Sequence, residues 1–371
     1  MDSLPTTIRV GIMTAPKIDV TFHGPSLFTL HGVTIGKGYH WQREEDQTFT
    51  GKLNIIKEDN DLLTAVNTLP IEEYLVSVIS SEMSATASLE FLKAAAVISR
   101  SWVVKQIMNK QTKSVKSQGI IDTTDTLITW QDHEDHTLYD VCADDHCQRY
   151  QGITRATNPN VRRAVEETCG EVLTYQGEVC DCRFSKCCGG KTEEFATCWQ
   201  DVDVPYLQAL EDRDPHDGTI LCDTHDPAIL SQVLNNYDQE TTDFYRWNVR
   251  FTRQELSSLL SRKLGRDFGD IIQLVPLKRG PGGRICQLQI HGTKDSLLIG
   301  KELTIRYALS ESHLYSSAFE VEQTDDSFIL HGKGWGHGVG LCQIGAAVMG
   351  SKGYNYREIL AHYYPGTIIE H

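Results

Sequence analysis

The sequence predicts an α+β fold, with a β-rich body, one long helix after a Ser-Glu-Met motif, and smaller helical insertions. Three observations predict it. Short alternating runs separated by turn residues fill the chain to about residue 70. A long helix-periodic stretch starts near residue 88. Strand-like and helix-like segments then alternate to the C-terminus. The 371 residues are 40% hydrophobic and 23% charged, which suits a globular chain able to bury a core without staples.

In chain order, Ile8-Arg9-Val10-Gly11-Ile12-Met13 alternates as a half-buried strand does, and residues 17–22 and 51–56 do the same. Pro70 opens an apolar run from Ile71 to Ile79, and proline at a first turn marks a helix start. Ser88 caps the clearest helix, predicted to reach Met108. Leu89, Leu92, Ala96, Val97 and Val103 share its spacing, and Ala94-Ala95-Ala96 favours close packing. Residues 172–175 read as a strand. Thr252 and Glu255 form a capping box for an amphipathic helix carrying Leu256, Leu259, Leu260 and Leu264. Gly280-Pro281-Gly282-Gly283 is a turn between strand patterns at 271–277 and 284–291. The expected organisation is a β-rich region over 1–65 and a larger region over 66–371, with an insertion at 226–310.

Thirty-five Lys and Arg against 50 Asp and Glu leave a net charge of −15, which argues against nucleic acid as a partner. No stretch is apolar for long enough to span a membrane. The first residues, Met1 to Pro5, lack the basic and apolar parts of a signal peptide. Two expectations follow: a cytoplasmic protein, or a cell-envelope protein whose export signal has been removed from this sequence. Eight of the 11 cysteines lie between Cys142 and Cys198. In a chain this long they read as reduced thiols, some of them binding metal, rather than as a disulfide framework.

Four segments carry candidate chemistry. Glu82, in Ser80-Ser81-Glu82-Met83-Ser84, is either an acid facing a cleft from a helix junction or a solvated loop residue. Cys142, His146 and Cys147, completed by His136 or His133, suit one tetrahedral zinc ion; the alternative is an acidic loop with buried cysteines. Cys180, Cys182, Cys187 and Cys188 read as core thiols, with a second metal or redox site as the alternative. Adjacent cysteines in an extended chain point to opposite sides. The run from His331 to Ala347 has glycine at 332, 334, 336, 338 and 340. It either admits a sugar, stacked on Trp335 and bonded by His337, or lets other backbone pack close.

Residues 332–367, GKGWGHGVGLCQIGAAVMGSKGYNYREILAHYYPGT, resemble the C-terminal signature of the stage II sporulation protein D / LytB amidase-enhancer (SpoIID/LytB) family. Other stretches agree in order. Residues 69–75 (LPIEEYL) with Ser81-Glu82-Met83 are similar to the family's LPLEDYL…SEM. Leu92 to Ser101 is similar to its LKAQAVAARTY helix, and Tyr139 to Tyr150 to its YDVC…CQxY stretch. Gly189-Gly190-Lys191-Thr192-Glu193 is similar to its GGRTE. The resemblance covers residues 65–370. Two departures stand out. FSKCCGG at 184–190 replaces FHSNSGG, so the family's His and Asn are lost, and Cys342-Gln343-Ile344 replaces SQW.

The resemblance implies a lytic transglycosylase acting on peptide-stripped peptidoglycan glycan strands, with Glu82 as the catalytic acid. It implies a structural zinc ion at Cys142, His146, Cys147 and an upstream His. The substrate-binding candidates are Arg100, Lys333, Trp335, His337 and Gln343: the glycine run places Trp335 and His337 in or beside a glycan groove, near Arg100, which either orients Glu82, bonds substrate, or is a plain surface or helix-end cation. Ordinary glycosidases need two carboxylates. A lytic transglycosylase uses no water, so one group serves in turn as acid and base. Two other readings follow: a non-catalytic glycan-binding module that stimulates a cell-wall amidase, and a zinc-dependent hydrolase.

Overall fold

The strand Thr7–Ala15 organises the N-terminal half. It pairs antiparallel with Leu63–Pro70, which pairs in turn with Lys52–Lys57. On its other edge it takes the short strand Val141–Cys142 in parallel, with Val10 opposite Val141 and Gly11 opposite Cys142. Gly11 matters here, because a Cβ at that position would lie 2.4 Å from the Tyr139 ring. A second antiparallel sheet, Val20–Gly24, Leu27–Ile35 and Arg43–Thr50, packs alongside. The computed structural model describes residues 4–36, 42–84, 87–112 (111 and 112 as backbone only), 119–130, 136–144, 146–154, 156, 158–233 and 243–371.

Leu63–Pro70 runs directly into the helix Ile71–Glu82, with Pro70 at the N-cap, where a missing N–H costs nothing. The helix outlasts the apolar run that announced it, so Glu82 is its last residue rather than part of the following loop. The long helix spans Leu89–Thr112 and is started by Ser88, whose Oγ accepts the Phe91 N–H at 3.3 Å. Leu92, Ala94, Ala96, Val97 and Val103 have no exposed surface. The helix is buried nearly all round from Phe91 to Val104 because it is the central element. Ile71–Glu82, Pro159–Glu167, Gln343–Ser351, Tyr356–Tyr363 and the strand Val172–Tyr175 all pack on it, and the three alanines let them come close.

One hydrophobic core holds Ile8 and Val10 together with Tyr74, Leu92 and Leu341. Residue 65 is therefore not a core boundary, since the strand Leu63–Pro70 crosses it. A second core contains Trp247, Leu256, Leu260, Phe268, Ile290 and Phe328. It is built from the five-stranded sheet Ile271–Arg279, Ile285–Gly292, Ser296–Gly300, Thr126–Thr129, Ile120–Asp122 and the three-stranded sheet Arg246–Thr252, Ser327–Lys333, Phe319–Gln323. This unit thus extends past 226–310 and borrows two strands from residues 120–129. The Thr252–Glu255 capping box starts the helix Arg253–Leu264, and Gly265 ends it with φ at 66°. The fold is α+β. No helix among the described residues is long and apolar enough to cross a membrane.

Candidate functional site

Segments 74 residues apart in sequence meet around Tyr74. Its ring is fully buried and stacks on Tyr150 at 5.2 Å, and its hydroxyl donates to Gln148 Oε1 at 3.2 Å. Burial, then the Cys147 and Cys142 thiols, Tyr150 and Glu82, hold the phenol well above its usual range. Glu82 is half-buried at the C-terminus of its helix. Its Oε1 accepts the Arg149 backbone N–H at 3.2 Å. Among the described residues that is the one hydrogen bond to this carboxylate, which leaves Oε2 to hold or take a proton.

The loop ending in Arg149 carries the four metal-type side chains. His136, Cys142, His146 and Cys147 place one ligand atom each within 4.8 Å of one another. Cys147 Sγ lies 3.4 Å from His136 Nε2 and 3.5 Å from His146 Nδ1, and Cys142 Sγ lies 3.8 Å from His146 Nδ1. Tetrahedral zinc, with Zn–S of about 2.3 Å and Zn–N of about 2.0–2.1 Å, requires S···N separations of about 3.6 Å. These residues could hold the ion. Hydrogen bonding with Cys147, and then with His136 and His146, draws the Cys142 thiol far down against its burial. Its bond with Cys142, together with burial, pushes Cys147 up. The pairing of Val141–Cys142 with Thr7–Ala15 sets this loop. His133, the alternative fourth ligand, lies outside the described residues.

Arg183, which the sequence did not single out, joins this cluster to the C-terminal signature. Its guanidinium pairs bidentately with Asp181 (2.9 Å each), lies 4.3 Å from the Trp199 ring centroid, and acts electrostatically on both Cys147 and His337. Trp335 is half-buried, with one face stacked on Tyr315 at 4.4 Å, and its backbone bridges Cys187. The neighbouring Lys186 donates to the Val233 carbonyl. Gln232, on the same helix Pro227–Val233, accepts the N–H of Ser84 through its carbonyl at 3.0 Å. That helix therefore connects the segment bridged to Trp335 with the turn after Glu82.

Four of the residues expected along the groove have other surroundings in the structure. Arg100 is 2% exposed. Its Nε and Nη2 pair with Glu72 at 2.9 and 2.6 Å, and its Nη1 donates to the Glu171 carbonyl at 3.0 Å, so it braces helices instead of facing a groove. Gln343 is 2% exposed at the start of the helix Gln343–Ser351. His337 uses both ring nitrogens internally: Nδ1 accepts the Val339 N–H at 3.0 Å, and the ring also bonds the Phe184 carbonyl. Burial, with Arg183, Arg284 and Arg306 nearby, holds its pKa well below the usual imidazole value. Lys333 lines a separate cleft of about 390 Å³ with Arg246, Arg279 and Glu320, on the second core's sheet.

The glycine run serves close packing. A Cβ at Gly338 would lie 2.2 Å from the Arg284 guanidinium, and one at Gly340 would lie 2.0 Å from the Arg183 carbonyl oxygen; both glycines also have positive φ. All 11 cysteines are free thiols. Cys188 and Cys342 meet Cys222 and Asp212 in a buried group that sequence spacing gave no means to find.

Residues 59–175 match the family model described as Stage II sporulation protein, and residues 193–340 match a domain of unknown function, DUF8618. The chain is 24% identical over 306 residues to Stage II sporulation protein D of Bacillus subtilis (strain 168), covering 82% of this chain and 76% of that protein. It is 27% identical over 320 residues to the Amidase enhancer of the same organism, covering 80% of this chain and 40% of that protein. An uncharacterized protein of Brachyspira hyodysenteriae (strain ATCC 49526 / WA1) is 27% identical over 363 residues, covering 98% of this chain and 79% of its own length.

Proposed function

As a member of the SpoIID/LytB family, with the cell-wall-related role that membership supports, this chain is, we propose, a lytic transglycosylase. It would cleave the MurNAc–GlcNAc bond of peptide-stripped glycan strands and leave 1,6-anhydroMurNAc ends. The observation that carries this reading is Glu82, a half-buried carboxyl at a helix end with one oxygen held by the Arg149 amide and the other unclaimed by described residues. In the proposed reaction protonated Oε2 gives its proton to the bridge oxygen, and the GlcNAc leaves with it. The resulting carboxylate takes the proton of the MurNAc C6 hydroxyl as that oxygen closes on C1. No water is consumed, and Glu82 ends protonated as it began.

His136, Cys142, His146 and Cys147 would hold one zinc ion. With four protein ligands such a site supplies folding energy rather than an activated water, which disfavours the zinc-hydrolase reading. The chain's share in this is to fix the loop from which Arg149 holds Glu82. Trp335 is the remaining candidate for stacking on a sugar.

The test is Glu82→Gln on stripped glycan. The amide can still accept the Arg149 N–H but has no proton to transfer, so turnover should fall by about 10²–10⁴-fold while glycan still binds. A second reading, a glycan-binding module that stimulates an amidase, draws on the name of the Bacillus relative and on Ser185 and Cys187 standing where the family has His and Asn. Glu82→Gln protein that keeps full function would favour it.

A further inference from the structure

We propose that Cys188, Cys222, Cys342 and Asp212 form a second, fully buried zinc site, separate from the cluster beside Glu82. One ligand atom from each lies within 4.8 Å of the others, and none of the four is more than 1% exposed. Cys188 Sγ is 3.5 Å from Cys222 Sγ and 3.2 Å from Asp212 Oδ2. The sulfur pair is far too long for a disulfide, at about 2.05 Å. It is close to the roughly 3.8 Å between two sulfurs on one tetrahedral zinc with bonds of about 2.3 Å.

A core of neutral thiols would need no acid. Here a carboxylate with no exposed surface is set among them, and such a group costs several kcal/mol unless a cation or proton meets it. Its other oxygen is already fixed: Tyr363 donates to Oδ1 at 2.7 Å, and His362 Nε2 lies 3.5 Å away. An acid oriented in this way through one oxygen presents the other as a ligand. Gly345 keeps the space, since a Cβ there would lie 2.7 Å from Oδ2 and 2.2 Å from the Tyr363 hydroxyl oxygen.

Two further features suit thiolates rather than thiols. The Cys188 backbone N–H donates to Cys342 Sγ at 3.3 Å, as the Cys142 N–H does to Cys147 Sγ at 3.4 Å in the first cluster. The fully buried Arg284 guanidinium bonds the carbonyls of Cys187 and Cys188, which sets a fixed positive charge against the backbone that carries the Cys188 sulfur. Three sulfurs and one oxygen converging within 4.8 Å select zinc over hard cations. Binding exchanges three thiol protons for the ion and involves no electron transfer. The ion would join four separate segments: the loop behind Trp335, the loops at 212 and 222, and the start of the helix Gln343–Ser351. This is a structural role, and it occupies the stretch where the sequence departs from its family.

The experiment is metal counting on the full chain purified without chelator, by elemental analysis and native mass spectrometry. Two zinc ions per chain are expected in wild type, one in Cys222→Ser and one in Cys142→Ser. In the Cys142→Ser background, cobalt(II) should give thiolate charge-transfer and tetrahedral d–d bands that are lost in the Cys142→Ser/Cys222→Ser double variant. One metal per wild-type chain, kept in Cys222→Ser and lost in Cys142→Ser, would overturn the site. So would a mapped Cys188–Cys222 disulfide. If Cys222→Ser does not fold, the Cys142→Ser variant decides: a cobalt titration of it that gives no thiolate charge-transfer band overturns the proposal.

Discussion

Glu82 and Arg149, 67 residues apart in sequence, are joined by a 3.2 Å bond from the Arg149 amide to Glu82 Oε1. Arg149 follows Cys147 by two residues. The loop that carries Cys142, His146 and Cys147 is therefore also the loop that orients the acid, so metal occupancy and catalysis should respond together.

Removing metal should lower stability and turnover in parallel. A ligand bound only by the folded chain contributes about 4 kcal/mol at 1,000 times its Kd. Chelator, or Cys147→Ser, should lower the Tm and loosen the Arg149–Glu82 contact. Calorimetry and turnover on one sample check this. Chelated protein that keeps its Tm and its rate would contradict it.

Arg100→Met should cost stability rather than substrate affinity. The substitution leaves Glu72 without its bidentate partner and the Glu171 carbonyl without a donor. Breaking a buried pair costs about 3–5 kcal/mol, and the lower end applies because Glu72 is partly exposed. Denaturant unfolding measures the loss. An unchanged unfolding midpoint with a raised KM would restore the groove role.

Trp335→Ala should raise KM with little change in kcat. Aromatic stacking is worth about 0.5–1.5 kcal/mol, so KM should rise by roughly 2–12-fold. Tyr315 stacks on one face and the tilted Phe244 ring lies 4.8 Å away, so a sugar would have to use what these two leave open. Equal losses in Tm and rate, with KM unchanged, would make Trp335 a core residue only.

Asp214 should make the fold acid-sensitive. Lys352 at 2.6 Å, the His216 amide at 2.8 Å and the Tyr354 hydroxyl at 2.7 Å hold its carboxyl well below the usual range. A depressed folded pKa contributes stability above the unfolded value of about 3.9, and that stability is lost as pH falls through the folded pKa. Asp214→Asn should lower the Tm at pH 7 and flatten its decline from pH 5 to pH 2. Parallel declines would contradict the assignment.

Local signals were legible in the sequence, and pairings across space were not. Ser88, Thr252 with Glu255, and the 280–283 turn announce their elements because caps and turns are satisfied within a few residues. Motifs drew attention to Glu82 and to His136, Cys142, His146 and Cys147, and the structure gathers the last four within 4.8 Å of one another. Arg100 was misread because its partner, Glu72, lies 28 residues upstream on another helix. His337 was misread because one of its ring bonds goes to the Phe184 carbonyl, on a strand far away in sequence. The Cys188–Cys342 contact spans 154 residues, and no spacing rule reaches that far. The glycine run permitted two readings, and only the positions of Arg284 and Arg183 decide between them.

The most direct test of the account is the chemical end left by the wild-type chain on purified, peptide-stripped glycan strands, read by mass spectrometry beside Glu82→Gln. Wild type should give fragments ending in 1,6-anhydroMurNAc, formed about 10²–10⁴ times more slowly by the variant. Fragments ending in reducing MurNAc would mean that water attacked, and intact strands after incubation with wild type would mean that the chain holds glycan without cutting it. Either result would contradict the central claim.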